Sequence, residues 1–262
     1  MSTTVPLGRS GIRVSRVAFG AVKIGRNRGL KYPAGFELPA PQAVETLLDG
    51  LVSAGVATLD TAPAYGLSEA RIGDWLSRRP GLRERLTLCT KTGEEFDPAT
   101  ERSRFDFSAP GTYASVERSL EVLGVSTLDI VHVHSNGDDL EVQAAGCVEA
   151  LRALKASGRV RAVGFSGKSV GGTRAALAWA DSVMVTCHRN DPSHLAVMRE
   201  AREQGVGVMV KKGLGSGGLP ADEALAFLGQ EADAWDSVVI GSLNLEHMRA
   251  NAASLEAAVD RP

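Results

Sequence analysis

Four residues able to hold or transfer a proton stand at or just after the ends of apolar runs in this chain. Asp60, Lys91 and His134 each end such a run, and Tyr65 lies in the loop, punctuated by Pro and Gly, that follows Asp60. A buried strand end carries an unpaired charge only at a cost of several kcal/mol, roughly that of an unsatisfied ion. Three successive runs that end on an ionisable residue therefore predict that these side chains meet at one polar site.

The elements that must position these residues alternate between strand and helix. Two short alternating runs within 6–17 flank Ser10-Gly11 and predict a β-hairpin. Apolar runs predict strands at 17–19, 55–59, 85–90, 128–133, 160–164, 183–185, 206–210 and 238–240. Helical spacing predicts helices at 41–54, 68–77, 113–123, 142–156, 172–180, 194–204, 222–228 and 244–258. This alternation predicts an α/β fold, a (β/α)8 TIM barrel with an N-terminal β-hairpin.

The length and composition agree with one barrel domain over 1–262. A chain of 262 residues that is 44% hydrophobic and 23% charged can bury one large core. A (β/α)8 barrel takes roughly 250 residues. No linker or composition break divides the chain, and we interpret the longest irregular stretch, 92–111, as an active-site loop.

Charge and cysteine content argue against several classes of protein. A formal net charge of -2 gives no basis for binding nucleic acid or an anionic membrane. No apolar run reaches the roughly 20 residues of a membrane span, and the N-terminus has no apolar secretion segment. Three cysteines without CxxC spacing favour a reducing compartment over a zinc site or a disulfide framework. We expect a soluble cytoplasmic protein without a metal; the sequence does not predict its oligomeric state.

Six motifs, in order along nearly the whole chain, resemble the aldo-keto reductase family. They are VPLGRSGIRVSRV at 5–17, Gly20, LDTA followed by Tyr65-Gly66 and Glu69, SVERSL followed by Leu123-Gly124, GRVRAVGFS at 158–166, and the segment from Gly241 to Asn251. The set Asp60, Tyr65, Lys91 and His134 resembles the catalytic tetrad of this family. Six motifs in family order are specific, whereas a single one would not be.

The resemblance implies an NADP(H)-dependent oxidoreductase that reduces an aldehyde or ketone to an alcohol, or runs the reverse reaction. Tyr65 would donate the proton, and Lys91, paired with Asp60, would favour the phenolate and so lower the pKa of a phenol from its usual value of about 10. His134 would orient the carbonyl. The nicotinamide would supply the hydride, and the substrate would be a small carbonyl or alcohol.

A glycine cluster between the seventh predicted strand and its helix suits a phosphate. Residues 213–218 formally match GxGxxG, but they lie in the seventh strand–helix unit instead of the first. Since (β/α)8 barrels commonly bind phosphate after strands seven and eight, we assign this loop to the cofactor pyrophosphate, with Lys211 and Lys212 adding positive charge. Together with the resemblance, this predicts the cofactor-binding residues Gly20, Ala21, Asp60, Ser166, Gly167, Lys211, Lys212, Gly213, Leu214, Ser216, Gly217, Gly241, Ser242, His247 and Asn251.

Three positions depart from the family pattern. Gly167 stands where an asparagine usually follows the serine that holds the nicotinamide carboxamide, and Lys211 stands where an aromatic residue often stacks on the nicotinamide. His247 replaces the arginine or glutamine of the adenosine end. Ser242 and free N–H groups at the start of the helix near Asn244 still predict a 2′-phosphate site. The expected cofactor is therefore NADPH, with NADH possible.

Two other classes of function stay open. A non-catalytic relative, a nicotinamide-binding sensor or regulatory subunit with the same fold, would bind cofactor without turnover of any aldehyde. A lyase or aldolase barrel would use Lys91 as a Schiff-base nucleophile, and borohydride would trap its substrate there. We interpret His132, which shares a strand face with His134, as a hydrogen-bonded interior histidine, and Cys89 and Cys187 as small core residues.

Overall fold

The computed structural model describes residues 3–30 and 35–260. The strands are β1 (Thr4–Pro6), β2 (Arg13–Ser15), β3 (Val17–Gly20), β4 (Thr58–Asp60), β5 (Thr87–Thr92), β6 (Glu94–Asp97), β7 (Arg102–Phe105), β8 (Leu128–His134), β9 (Val160–Ser166), β10 (Ser182–Thr186), β11 (Gly207–Lys211) and β12 (Ser237–Ile240). The α-helices are α1 (Pro41–Ser53), α2 (Ser68–Ser77), α3 (Ala109–Leu123), α4 (Asp139–Ala144), α5 (Cys147–Ala156), α6 (Val170–Ala176), α7 (Leu195–Glu203), α8 (Ala221–Gln230) and α9 (Leu245–Val259).

Eight of these strands close into a parallel barrel. Around the barrel the order is β3, β4, β5, β8, β9, β10, β11 and β12, and β12 pairs with β3 to close it, Val238 opposite Val17. Strands that are buried on both faces need continuous apolar runs, and β3 and β8 are buried along almost all of their length. The predicted (β/α)8 barrel is confirmed, while the prediction of one domain over 1–262 stays a prediction.

The predicted N-terminal hairpin is also confirmed. Strands β1 and β2 pair antiparallel, with Val5 opposite Val14. Leu7, Ile12 and Val14 are buried in one cluster with Cys89 and other inward-facing residues of the barrel strands. The hairpin therefore closes one end of the barrel interior with apolar side chains, and fully burying each large one stabilises the fold by about 1.5–3 kcal/mol.

The predicted single helix at 142–156 is wrong, because two helices occupy that region. Helix α4 ends at Ala144 and helix α5 begins at Cys147. Gly146 between them has φ +102°, a conformation that interrupts an α-helix and that glycine adopts without steric cost. The apolar spacing continues across the break, so periodicity alone did not reveal it.

The stretch 92–111, predicted to be irregular, contains an antiparallel hairpin. Strand β6 pairs with β7, from Glu94 opposite Phe105 to Asp97 opposite Arg102. Both strands carry mostly charged and polar residues, so they lack the apolar alternation from which strands are predicted. Gly93, with φ +97°, lets the chain turn out of β5 into this hairpin.

No helix among residues 3–30 and 35–260 is long and apolar enough to cross a membrane. Over the same ranges, no group of three or more His, Cys, Asp or Glu side chains could hold a metal ion. The cysteines Cys89, Cys147 and Cys187 are buried and free.

Candidate active site

The barrel brings the four predicted proton-handling residues to one end. Asp60 is the last residue of β4, Lys91 lies near the end of β5, and His134 is the last residue of β8. Strands β4, β5 and β8 are neighbours in the barrel, and all of them run in the same direction. In such a barrel the carboxyl ends of the strands share a single face, the face on which barrel enzymes carry their chemistry.

Asp60 and Lys91 form a buried ion pair. The Lys91 Nζ donates to Asp60 Oδ1 at 2.7 Å and to the Thr61 carbonyl at 2.8 Å. The two side chains are only 3% and 1% exposed, respectively. Burial opposes the charge on Lys91, but Asp60 and Tyr65 outweigh it and raise the pKa of Lys91 above its usual value. Lys91 is therefore a fixed ammonium at neutral pH.

Two loops that approach closely position Tyr65. Tyr65 ends a short 3-10 turn from Pro63, and its N–H donates to the Ala62 carbonyl at 2.9 Å. Gly66 follows with φ +60°, and a Cβ there would lie 2.5 Å from the Gly25 carbonyl oxygen. Only glycine fits this crossing, so the loops after β3 and β4 can pack closely at the position next to Tyr65.

Tyr65 lies beside both Lys91 and His134. The Lys91 Nζ is 4.8 Å from the centroid of the Tyr65 ring, and the rings of Tyr65 and His134 meet edge to face with centroids 6.2 Å apart. The charge interaction between Tyr65 and Lys91 is reciprocal. Because Tyr65 raises the pKa of Lys91, Lys91 equally favours the phenolate form of Tyr65.

Glu94 contacts His134 and was not predicted from the sequence. The Glu94 Oε2 lies 3.0 Å from His134 Nδ1, and both side chains are mostly buried. Burial lowers the pKa of His134, and the Glu94 carboxylate opposes that shift. Burial would raise the pKa of Glu94, yet His134, a hydrogen bond from Ser103 and the charge of Arg26 lower it to about 2. The sequence shows Glu94 three residues after Lys91, but it does not show that the β6–β7 hairpin turns the Glu94 carboxylate back towards His134.

His132 is an interior histidine, as its position on the strand indicated. Its ring nitrogens lie 2.9 Å from Ser182 Oγ and 3.3 Å from Cys89 Sγ, inside the barrel. Burial lowers the pKa of His132 well below the usual histidine value, so the ring is neutral. Gly164 makes room for it, because a Cβ there would lie 2.9 Å from His132 Nε2.

A cavity of about 670 Å³ opens over this end of the barrel. The predicted site residues that line it are Gly20, Asp60, Tyr65, Lys91, His134, Ser166, Lys211, Lys212, Gly213, Leu214, Ser216, Gly217 and Gly241. Ala21, Gly167, Ser242, His247 and Asn251 lie outside its lining. Unpredicted polar residues complete the wall: Lys23, Arg26, Glu94, Ser103, Lys168, Thr186, Asp191 and His194.

Lys211 occupies the part of the cavity wall next to Ser166. Its Nζ donates to Ser166 Oγ and to the Gly167 carbonyl, both at 2.8 Å. Burial lowers the pKa of Lys211 to about 7, and the charges of Lys212 and Lys91 add to the shift. Lys211, at the end of β11, thus makes hydrogen bonds with the end of β9, on the far side of β10.

Packing explains why residue 167 is glycine. A Cβ at Gly167 would lie 2.7 Å from the Phe165 ring and 3.1 Å from Asp139 Oδ2. Asp139 itself is held in place: its Oδ2 accepts from the Ser169 N–H and Oγ at 2.7 Å and from the Lys168 N–H at 3.0 Å. This network braces the loop after β9, and an asparagine would require its rearrangement.

The glycine loop after β11 has a tightly wound backbone. Lys212 and Ser216 have φ of +57° and +58°, a region that residues other than glycine rarely adopt. Within the loop, the Gly215 N–H donates to the Lys212 carbonyl at 2.8 Å and the Gly217 N–H donates to the Leu214 carbonyl at 2.9 Å. Strained backbone of this kind concentrates at functional sites. The loop borders the cavity, as the phosphate assignment requires.

The start of α9 differs from the expected anion site. The Asn244 side chain caps the helix and accepts from the N–H groups of Glu246 and His247 at 2.8 and 3.2 Å. The expectation that these N–H groups are free is therefore wrong. Glu246 also places a carboxylate in the first turn, where it pairs with Arg249. Any preference for NADPH, which carries a 2′-phosphate, over NADH would have to come from the side chains of this segment.

Comparison with known proteins identifies the class to which this barrel and site belong. The model of the Aldo/keto reductase family matches residues 16–224, a span that includes the four converging residues and the glycine loop. The chain belongs to the aldo-keto reductase family, and it is an oxidoreductase enzyme.

Individual relatives match over most of their length. A solved Pseudomonas aeruginosa protein assigned to the aldo-keto reductases is 34% identical, with a TM-score of 0.88 over 98% of this chain and 95% of that one. A 6-dehydroglucose reductase from Agrobacterium fabrum is 28% identical, with 95% of this chain and 92% of the relative covered. A D-threo-aldose 1-dehydrogenase from a Pseudomonas species is 26% identical over 85% of this chain and 73% of the relative. The chain is therefore similar to reductases and dehydrogenases whose names refer to sugars.

Proposed function

We propose that this enzyme reduces the carbonyl group of a small polar aldehyde or ketone to an alcohol, or runs the reverse reaction, with NADPH as the preferred nicotinamide cofactor. The observation that carries the proposal is the juxtaposition of Tyr65 with Lys91 and His134 over one cavity. The Tyr65 ring lies 4.8 Å from a buried ammonium and 6.2 Å from an imidazole. This arrangement supports transfer of one proton at the phenol oxygen.

Each residue of the cluster has a distinct role in this proposal. Tyr65 donates its proton to the carbonyl oxygen during reduction, and Lys91 stabilises the phenolate that remains. Asp60 holds Lys91 in its charged form through the 2.7 Å contact. His134, whose ring meets that of Tyr65 edge to face, orients the carbonyl. The bound nicotinamide supplies the hydride that the side chains cannot provide.

The residues around the cavity suit such a cofactor. Gly20 and Gly241 form part of the wall, and a Cβ on Gly241 would lie 3.0 Å from the Gly20 carbonyl oxygen, so the backbones approach each other closely here. We assign Ser166 and Gly167 to the nicotinamide carboxamide, and Gly20 and Ala21 to the first cofactor loop. We assign the pyrophosphate to the loop from Lys212 to Gly217. The adenosine end of the cofactor is assigned to Gly241, Ser242, His247 and Asn251. We propose that this segment favours NADPH over NADH.

The substrate side of the cavity favours a hydroxylated, sugar-like molecule. Arg26, Glu94, Lys168 and Asp191 all line the cavity, so its wall offers both hydrogen-bond donors and acceptors. Such a wall binds hydroxyl groups better than an apolar substrate, because buried polar groups left unpaired cost binding energy. Two of the relatives, a 6-dehydroglucose reductase and a D-threo-aldose 1-dehydrogenase, bear sugar names. We propose no nucleic-acid or membrane partner and a cytoplasmic location.

The Schiff-base alternative is disfavoured by the state of Lys91. An amine attacks a carbonyl only when it is neutral, whereas the pKa of Lys91 is raised and its Nζ already donates to Asp60 and Thr61. The non-catalytic sensor is disfavoured as well, because the matching family model and the named relatives are those of reductases and dehydrogenases.

The deciding experiment combines binding with turnover. The purified protein is titrated with NADPH and then assayed for NADPH oxidation with D-glyceraldehyde and a panel of aldoses. The Tyr65→Phe variant should bind NADPH as the wild type does and lose about 10²–10⁴-fold in kcat. Wild-type turnover by Tyr65→Phe would remove Tyr65 from the mechanism. Cofactor binding without turnover of any carbonyl would favour the sensor.

A further inference from the structure

Lys211 places a cation beside the group assigned to the nicotinamide. Its Nζ donates to Ser166 Oγ and to the Gly167 carbonyl at 2.8 Å, so the ammonium is held at the end of β9 and does not extend into solvent. Ser166 is itself fully buried, and both Ser166 and Lys211 line the cavity together with Tyr65 and Lys91. A ligand that reaches Ser166 must therefore come close to the Lys211 charge.

The two redox forms of the cofactor differ in charge at one place only. The nicotinamide ring carries a positive charge when oxidised and is neutral when reduced, while the adenosine, the ribose phosphates and the pyrophosphate are the same in both. Repulsion between like charges is stronger in a partly buried site than in water. On the premise that the cavity binds the cofactor as proposed above, we infer that Lys211 makes this enzyme bind NADPH in preference to NADP⁺.

The charges around Lys211 reinforce this effect. Lys91, Lys168 and Lys212 are the cations whose fields act on Lys211, and Asp139 is the carboxylate that opposes them. Asp139 is already engaged by Ser135 and Ser169 and by the Lys168 N–H group. Each of the three cations acts on Lys211 more strongly than Asp139 does, so the net potential at Lys211 is positive.

The discrimination should depend on pH in a defined sense. Lys211, with its pKa lowered to about 7, is protonated at pH 6 and largely neutral at pH 8.5. Burial lowers the pKa of each facing histidine, His132, His134 and His194, so each loses its proton more readily than an ordinary histidine. Lys91 stays charged throughout because its pKa is raised. The preference for NADPH should therefore be strongest at low pH and should weaken as the pH rises through about 7.

The test is the ratio of the dissociation constants of NADP⁺ and NADPH, measured by titration calorimetry at pH 6, 7 and 8.5. The ratio removes the titration of the shared phosphates, which affects both forms equally. In the wild type we expect the ratio to fall roughly tenfold between pH 6 and 8.5. Lys211→Met should give a low ratio at every pH. Lys211→Arg keeps a charge that does not titrate, so its ratio should stay high at every pH.

Lys212→Met provides the matched control. Lys212 is the exposed neighbouring cation at the glycine loop, so its loss should weaken both cofactor forms and leave the ratio at pH 6 near the wild-type value. Because Lys212 helps to lower the pKa of Lys211, the fall of the ratio should move to higher pH in this variant. A wild-type ratio that is independent of pH, or equal ratios for wild type, Lys211→Met and Lys211→Arg, would overturn the role of Lys211 and leave the proposed function standing. Failure of the wild type to bind either form would overturn both.

Discussion

The buried pair between Asp60 and Lys91 allows the sharpest quantitative prediction. Replacing Asp60 with Asn keeps the shape of the side chain and removes its charge, which leaves the Lys91 ammonium with the Thr61 carbonyl as a retained acceptor. Removal of one partner from a buried ion pair costs about 3–5 kcal/mol of unfolding free energy. At this chain length each kcal/mol lowers Tm by roughly 2 °C, so Asp60→Asn should lower Tm by about 6–10 °C.

A surface pair of the same length provides the control. Arg174 and Glu200 also lie 2.7 Å apart, but their side chains are 52% and 38% exposed. Glu200→Gln should therefore cost far less than Asp60→Asn, since solvent screens an exposed pair. The double variant Asp60→Asn/Lys91→Met should be less destabilised than the sum of its single variants, because it leaves no unpaired charge.

The pH dependence of the Asp60→Asn defect has a definite sign. In the wild type the pKa of Lys91 is raised, so the contribution of Lys91 to stability is complete below the unfolded value of about 10.4 and is constant between pH 6 and 9. Without the carboxylate, burial dominates and the folded pKa drops below the unfolded one. The unfolded variant then binds more protons, so its stability rises with pH and its deficit shrinks towards pH 9. Thermal melts of the wild type, the Asp60→Asn, Lys91→Met and Glu200→Gln variants and the double variant at pH 6, 7.5 and 9 test this. Equal losses for Asp60→Asn and Glu200→Gln, or a deficit that grows with pH, would refute the reasoning.

Two further variants test the histidine and the adenosine end. Glu94→Gln removes the carboxylate that opposes the effect of burial on His134, so the pKa of His134 should fall further. The acid limb of the pH profile of kcat/KM should then move to lower pH. If the acid limb does not move, Glu94 does not act on the reaction through His134. His247→Arg should tighten NADPH binding about 10-fold or more by adding a bidentate phosphate partner, with the dissociation constant of NADH as the internal control. If the dissociation constants of NADPH and NADH are each the same for the variant and the wild type, the 241–251 segment is not the 2′-phosphate site.

The sequence alone determined the barrel and the convergence of Asp60, Lys91 and His134. Alternating strands and helices force parallel strands, and parallel strands bring their carboxyl ends to one face whatever the details of packing. The hairpin at the start of the chain was equally accessible, because its turn residues and apolar alternation are local signals. Tyr65 followed from its position in the loop after Asp60.

Only the tertiary structure decided the contacts between residues that are distant or differently patterned in sequence. The Lys211 Nζ reaches Ser166, 45 positions away, and this pairing depends on strand order and side-chain length together. Glu94 reaches His134 because a polar hairpin, without apolar alternation, folds back over the barrel. The break at Gly146 and the capping of α9 by Asn244 were equally hidden, since each depends on backbone conformation that the apolar spacing does not encode. Long-range pairing and local backbone geometry therefore set the electrostatics of the site, whereas the order of elements set its location.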